Sequence, residues 1–573
     1  MPQVPSPVKR SLRFFFLVMA VHRLGMDGAF AAAPTLDHLY PAGAQPGTTG
    51  QVSIIGKFDP WPPRFWVDDA AIRFVAGTNK GDCSLEIDAG AAVGPHLVRI
   101  FNDDGASRPR FIVVDDQPQT RETEPNDELG TALSITNLPA VVNARLDKSG
   151  DVDSFAVTLS AGQTLIASVE AYVLESPLDA VLKVTDARGV QQAWNHDGRT
   201  LDPFLVYTAR AAGRYIVQVM GFPHPATSEI RFHGNERCVY RLHLNSGPFL
   251  SHTMPLGVSR SGHTKLGLYG WNFAGDTPRE LEWTNEHPDC SNLVLSLRAP
   301  TLENTWKLPC NEGPENIEVE PNDTVSQAHP LEVPGAVTGC IQAPGDEDRF
   351  LFEARKKERF RISVQSASLG FPVDAWLKIE RTNSTQVERN DDRGGPDPDL
   401  EWEAGSDGTF VLAVGNLLHR GGSNYLYRLA IARAMPGYKA SVSAHSLIVQ
   451  PGATNDLKVT VNRLNGFTNQ ISIQLTGLPE GVSAEPVDAP DKSGEVTIKV
   501  VTATNAPPSS GVFQVMATVG ETQRAVPFSL VSTSEDNGVP GGFRELVIAA
   551  TDQLWLTVRR PPEEKKDAAP AGK

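Results

Sequence analysis

Apolar and polar residues alternate with a period of two along most of this chain, in short runs cut by glycine, proline, asparagine and aspartate. Leu266-Gly267-Leu268-Tyr269, Leu457-Lys458-Val459-Thr460-Val461, Ile471-Ser472-Ile473-Gln474-Leu475, Val496-Thr497-Ile498-Lys499-Val500 and Leu554-Trp555-Leu556-Thr557-Val558 are of this kind. Successive side chains of an extended chain point to opposite faces, so each run predicts a strand with one face buried. No window carries the 3.6-residue apolar period of a long amphipathic helix. The pattern predicts an all-β chain of tandem β-sandwich modules, immunoglobulin-like and jelly-roll-like. The 49 glycines and 44 prolines agree with this, because both residues end strands and build turns.

The runs are themselves duplicated. Gly150-Asp151-Val152-Asp153-Ser154-Phe155 returns 195 positions later as Gly345-Asp346-Glu347-Asp348-Arg349-Phe350. At the same offset, Pro177 to Val184 matches Pro372 to Ile379, and Gly213-Arg214-Tyr215 matches Gly408-Thr409-Phe410. Tyr240-Arg241-Leu242 returns as Tyr427-Arg428-Leu429 after a shorter loop. The segments ahead correspond at an offset of 214, with Pro34, Leu36, Pro41, Gly43 and Gly56 matching Pro248, Leu250, Pro255, Gly257 and Gly270. A chain of 573 residues exceeds what one core can hold, and the duplication divides it. The expected units are a leader (1–33), a small β domain (34–115), a sandwich (116–246), a second small domain (247–314) and a second sandwich (315–435). An immunoglobulin-like sandwich (436–560) follows, closed by Leu554–Val558 across a Gly-rich excursion at Asn537 to Gly542, and then a disordered tail (561–573) rich in Pro, Ala, Glu and Lys.

Charge and composition narrow the function. With 52 Lys and Arg against 68 Asp and Glu, the net charge of −16 argues against nucleic acid or anionic membrane as partner. Lys9, Arg10 and Arg13, the apolar run Phe14 to Val21 and the motif Ala29-Phe30-Ala31 resemble a secretory signal peptide. No later stretch approaches the ~20 apolar residues of a membrane-spanning helix. The expectation is export to the periplasm, cell surface or medium, with no transmembrane segment. Five cysteines are too few for a disulfide scaffold; Cys290 and Cys310 are the pair an oxidising compartment could join, and buried free thiols are the alternative.

The candidate chemistry lies in acidic motifs at the entry to each sandwich. Glu122-Thr123-Glu124-Pro125-Asn126-Asp127 recurs as Glu318-Val319-Glu320-Pro321-Asn322-Asp323, each followed by its Gly-Asp-x-Asp-x-Phe. Proline biases the residue before it towards extended geometry, where positions i, i+2 and i+4 share a face. Glu122, Glu124 and Asn126, like Glu318, Glu320 and Asn322, would then point together and repel unless a cation lies among them. Asp151 and Asp153, and Asp346 and Asp348, would join them on the core side of the strand that carries Phe155 or Phe350. Such clustered oxygens suit structural Ca2+ better than zinc, which favours His and Cys. The competing reading is a pair of solvated turns whose carboxylates bond nearby amides. The Asn195-His196-Asp197 turn, matched by Asn390-Asp391-Asp392, reads as a plain turn because His196 breaks the match.

Taken together, Glu-x-Glu-Pro-Asn-Asp, Gly-Asp-x-Asp-x-Phe, Gly-x-Tyr/Phe and the terminal Tyr-x-Leu resemble the bacterial pre-peptidase C-terminal domain, a secreted β-sandwich often appended to exported proteases. The resemblance covers two copies, under half the chain. It implies calcium ligands at Glu122, Glu124, Asn126 and Asp127, and at Glu318, Glu320, Asn322 and Asp323, aided by Asp151 or Asp153 and by Asp346 or Asp348. The small units, with Pro-x-Gly, a strand and glycine, as in Val52-Ser53-Ile54-Ile55-Gly56, resemble immunoglobulin-like TIG modules. No Gly-x-Ser-x-Gly elbow, His-Glu-x-x-His or phosphate loop is present. Trp61 and Trp66, in a proline-rich loop, are the expected exposed aromatic pair. These readings point to a secreted, non-catalytic modular protein that binds an extracellular polymer, a surface component or a partner protein. The alternatives are an accessory or targeting subunit of an exported peptidase, and an enzyme whose carboxylates converge only in the fold.

Overall fold

The computed structural model describes residues 32–198, 201–222, 231–260, 263–273, 279–284, 294–297, 302, 304–381, 387–390, 397–531 and 547–559. Strands account for nearly all of its regular structure, with two 3-10 turns at Tyr172–Leu174 and Ala367–Leu369. No helix among the described residues is long and apolar enough to cross a membrane. The expected leader, the tail, the Asn537 to Gly542 excursion, Cys290 and Asp391-Asp392 lie outside the described residues.

The first large sandwich shows how period-two alternation becomes a core. One sheet has the order Gln119–Arg121, Ala140–Arg145, Val239–Asn245, Thr164–Glu170, Phe204–Thr208; the other has Leu133–Ser134, Val152–Leu159, Gly213–Gly221, Ala180–Asp186, Gln191–Asn195. Val142, Ala144, Phe155, Val157, Leu165, Ala167, Tyr240, Leu242 and Leu244 fill the space between the sheets, each buried. The residues between them in sequence, such as Arg241, His243 and Asn245, face the other way. The second sandwich repeats both strand orders, with Gly335–Cys340 against Leu426–Arg433 and Glu347–Ala354 against Gly408–Asn416. Its core is built on Phe350, Phe352, Phe360, Tyr427 and Leu429. In each copy the entry strand, Gln119–Arg121 or Glu315–Ile317, pairs parallel with the next strand.

The small units are two-sheet sandwiches. The first packs a four-stranded sheet on Thr49–Lys57 and Asp82–Ile87 against a five-stranded one on Gly94–Asn102 and Arg110–Val114. The second has two three-stranded sheets, centred on His263–Trp271 and Trp306–Asn311. A buried arginine joins each small unit to its sandwich. Arg241, 0% exposed, reaches Glu170 (2.5 Å) in its own sheet and Asp115 (2.9 Å) at the end of the small unit. A Cβ on Gly43 would lie 2.5 Å from Arg241 Nε, so glycine there leaves room for the guanidinium. Arg428 repeats the arrangement with Gln365 (2.8 Å), Glu315 and Gly257.

The C-terminal sandwich, with Leu457, Val459, Ile473, Val515 and Leu556 in its core, folds back onto the first small unit. Trp555 meets Phe101 at 4.6 Å and Trp66 at 6.0 Å between ring centroids. Leu530 is buried among Ala42, Leu97, Phe111 and Leu174, and buried Arg99 reaches His445 (3.1 Å) and the Gln553 carbonyl (3.2 Å). These contacts correct the expectation for the proline-rich loop. Trp66 is half-buried against Trp555, and Trp61 is half-buried against the first small core with its indole N–H on the Gly77 carbonyl (3.1 Å). The exposed indole is that of Trp194, 59% accessible on an edge strand.

Candidate cation sites at the entry to each sandwich

Backbone bonds lay each acidic segment across the mouth of its sandwich. After Gln119–Arg121 the pairing continues with Glu122 N–H on the Asn143 carbonyl (3.1 Å), and Ser154 N–H then bonds the Asn126 carbonyl (3.1 Å). The second copy has Glu318 on Thr338 (3.0 Å) and Arg349 on Asn322 (3.2 Å). Segment and strand are thereby held side by side, and carboxylates distant in sequence meet. One oxygen each from Glu122, Glu124 and Asp153 lies within 4.8 Å of the others, as do Glu124, Asp127 and Asp151, so Glu124 belongs to both groups. In the second copy the group is Glu320, Asp346 and Asp348. Glu318 accepts from Cys340 N–H (2.5 Å), as Glu122 does from Arg145 N–H (2.6 Å), and also from Asn322 (3.3 Å) and Tyr427 (3.3 Å); Glu318 and Asp323 stand outside the group.

These acids are unusually deep. Asn126, Asp151, Asp153, Asn322 and Asp348 are all 0% exposed. Glu122 Oε2, Asn126 Oδ1, Asp127 Oδ1, both Asp151 oxygens, Asp153 Oδ1, Asn322 Oδ1 and Asp348 Oδ1 are buried without a hydrogen-bond donor. Buried acceptors are almost always paired, so the orphaned set of the first copy, with its Asn126 and Asp153 members repeated by Asn322 and Asp348, fits a cation supplying the missing charge. Every donor atom is an oxygen, with no His or Cys in these groups, which is the ligand chemistry of a hard divalent ion.

Burial dominates the electrostatics. It pushes the Glu122 and Glu318 carboxyls up to about 7, and it drives Asp153 and Asp348 higher still, reinforced by the adjacent Glu122 and Glu318 charges. Asp151 and Asp346 are raised by burial and by the neighbouring acids Asp127 and Asp323. Without a cation, the acids hold protons in the pH range where a free carboxylate has lost its own.

Three tyrosines belong to the sites and were not named from sequence. Tyr240 donates to Asp153 (2.5 Å) and Tyr427 to Asp348 (2.6 Å). The repeated Tyr-x-Leu was the available signal. Tyr40, from the first small unit, donates to Glu122 (2.8 Å) beneath the guanidinium groups of Arg121 (4.2 Å) and Arg145 (4.7 Å). Its counterpart is Met254, so no repeat marks it. Tyr40→Phe is expected to cost about 1 kcal/mol in a urea titration; an unchanged midpoint would mean the bond adds nothing. Lys148 stands 3.4 Å from Asp127 and 3.5 Å from Asp151, where the second copy has Ala343. The Asn195-His196-Asp197 turn contributes to a separate group with half-buried Asp179, His196 lying 2.8 Å from it.

No family model matches the chain. A stretch of 128 residues is 28% identical to a "Probable subtilase-type serine protease" of Deinococcus radiodurans, covering 22% of this chain and 17% of that one. The pre-peptidase C-terminal domain of collagenase from Bacillus anthracis aligns over 20% of this chain and 99% of its own, at 14% identity and a TM-score of 0.16. Fibronectin(III)-like modules of Clostridium thermocellum CbhA align over 38% of this chain and 100% of theirs, at 9% identity and a TM-score of 0.13.

Proposed function

We propose that this is an exported, non-catalytic modular protein whose two large sandwiches are pre-peptidase C-terminal-like domains, each stabilised by structural calcium. It engages an extracellular polymer, a surface component or a partner protein. The carrying observation is the set of buried, donorless oxygens of the first copy, of which those of Asn126 and Asp153 return in the second as Asn322 and Asp348. In the first copy Glu122, Glu124, Asn126, Asp127, Asp151 and Asp153 would hold the ion, and in the second Glu320, Asn322, Asp346 and Asp348, with Glu318 and Asp323 at the margin. Bound calcium would supply positive charge alone; the chain's own part is to hold the entry segment against the sandwich and, through Tyr40, against the first small unit.

Direct metal analysis of the full chain, dialysed from millimolar calcium, tests this. Bound calcium is expected at both copies, and Glu124→Ala with Glu320→Ala should remove most of it. Metal-free protein with an unchanged melting curve in millimolar calcium would overturn the reading. The similarity of one stretch to a subtilase-type protease favours a second reading, an accessory or targeting subunit of an exported peptidase. Co-elution with an exported hydrolase encoded beside it would select that reading.

A further inference from the structure

The sandwich face that points away from the core differs between the two copies, and the difference marks a cleft. In the first copy this face carries Arg241, His243 and Asn245 on one strand, opposite Glu170, Ser168 and Ile166 on its neighbour. In the second copy Ala430 and Ala432 replace His243 and Asn245, and Gln365 replaces Glu170. A duplicate that needs only to pack can use alanine there; the first copy has instead buried polar groups.

Above this floor lies a cleft of about 770 Å³, within the size range of small-molecule sites, walled by three units of the chain. Val93 and Pro95 come from the first small unit, Val173 and Phe204 from the sandwich, and Phe249 and Lys307 from the second small unit. Val93 and Val173 remain 53% and 39% exposed. Asn245 is 4% exposed, and its Nδ2 lacks an acceptor although its Oδ1 takes the Gly247 N–H (2.7 Å). His243 lies 3.1 Å from Glu170, whose side chain stays 35% exposed.

The chemistry of the floor selects its ligand. Arg241 is held by Asp115 and Glu170, and Asp116, Asp202 and Lys307 complete a lining of mixed sign, so the cleft calls for no anionic guest. Donors (Asn245, His243) and acceptors (Glu170, Ser168) stand side by side, the pattern that a polyhydroxyl compound answers, since each hydroxyl both donates and accepts. The apolar walls suit the C–H faces of a pyranose ring. A peptide strand would add to an unpaired sheet edge, but both floor strands are paired on both sides.

We propose that this cleft binds a neutral sugar unit of an extracellular glycan. The inference rests on the reading of the chain as a non-catalytic binding protein, and it places the polymer contact in the first copy. The test titrates the full chain with cellotriose, maltotriose, xylotriose and chitotriose by calorimetry, alongside an unglycosylated proline-rich peptide. His243→Ala with Asn245→Ala installs the residues the second copy already folds with, so the variant should remain folded, as its melting curve will report. At least one trisaccharide is expected to bind, with affinity falling at least tenfold in the double variant. Saccharide binding that ignores the substitutions, no saccharide binding, or binding of the peptide alone would overturn the proposal. Chromatography of the titrated sugar separates the two claims: a bound sugar found cleaved would leave the cleft standing and overturn the non-catalytic reading.

Discussion

Replacing Arg241 by alanine is expected to cost about 3–5 kcal/mol of stability, one of the two largest single effects in the molecule. The guanidinium is fully buried and holds the Glu170 and Asp115 carboxylates, one from the sandwich and one from the small unit. Alanine would leave both acids without their cation and open a gap over Gly43. Because Glu170 keeps 35% of its side chain in water, solvent would take up part of its charge, and the loss should lie towards the lower end of that range. Lysine would not restore the arrangement, since an ammonium cannot span two carboxylates as a planar fork does. Gly43→Ala, whose Cβ would fall 2.5 Å from Nε, should displace the same guanidinium at a smaller cost of about 1–3 kcal/mol. Urea unfolding measures both. A loss below about 1 kcal/mol for Arg241→Ala would mean that the units are held by their apolar contacts; Arg428, whose partners Glu315 and Gln365 both lie in its own sandwich, should matter less to the junction.

In calcium-free buffer the melting temperature should fall as pH rises from about 5 to 8. An unfolded carboxyl titrates near pH 4. In the folded chain burial raises Glu122 and Glu318 to about 7, with Asp153 and Asp348 higher still. The native state therefore keeps protons that the unfolded chain has released. The stability this contributes is fully present below the unfolded values and drains away as pH climbs through the folded ones. Calcium substitutes for those protons, so its benefit should grow over the same interval, reaching about 1–3 kcal/mol per site at saturating ion. Asp153→Asn with Asp348→Asn removes two of the buried titrating groups and should flatten the pH profile while weakening the response to calcium. A melting temperature level from pH 5 to 8, with and without calcium, would contradict the account.

The candidate sites were partly legible because their residues recur in order at an offset of 195 or 196, and because carboxylates two apart on a strand beside a core phenylalanine must share its side. What their side chains meet was less so. Glu124 shares two groups in the first copy, while in the second Glu318, held by the Cys340 amide as Glu122 is by that of Arg145, also takes Asn322 and Tyr427, a distinction of rotamer and packing that identical motifs do not carry. Tyr40 and Lys148 act in the first copy alone, so the repeat was silent about them. Trp61 and Trp66 were expected at the surface on the strength of their proline-rich neighbours, but a partner more than 480 residues away covers Trp66.

By itself the sequence determined that the chain is all-β, that its sandwiches are duplicated and that paired acids mark the entry to each. These follow from alternation, turn chemistry and repetition, which act over a few residues or are plain in the letters. Only the tertiary structure decided that Arg241 and Arg428 wedge against matched glycines, that the C-terminal sandwich closes on the first small unit, and that the outward face of the first sandwich lies beneath a cleft walled by both small units. Those outcomes depend on register and on side chains meeting across hundreds of residues, where burial and charge are set by neighbours that local pattern cannot specify.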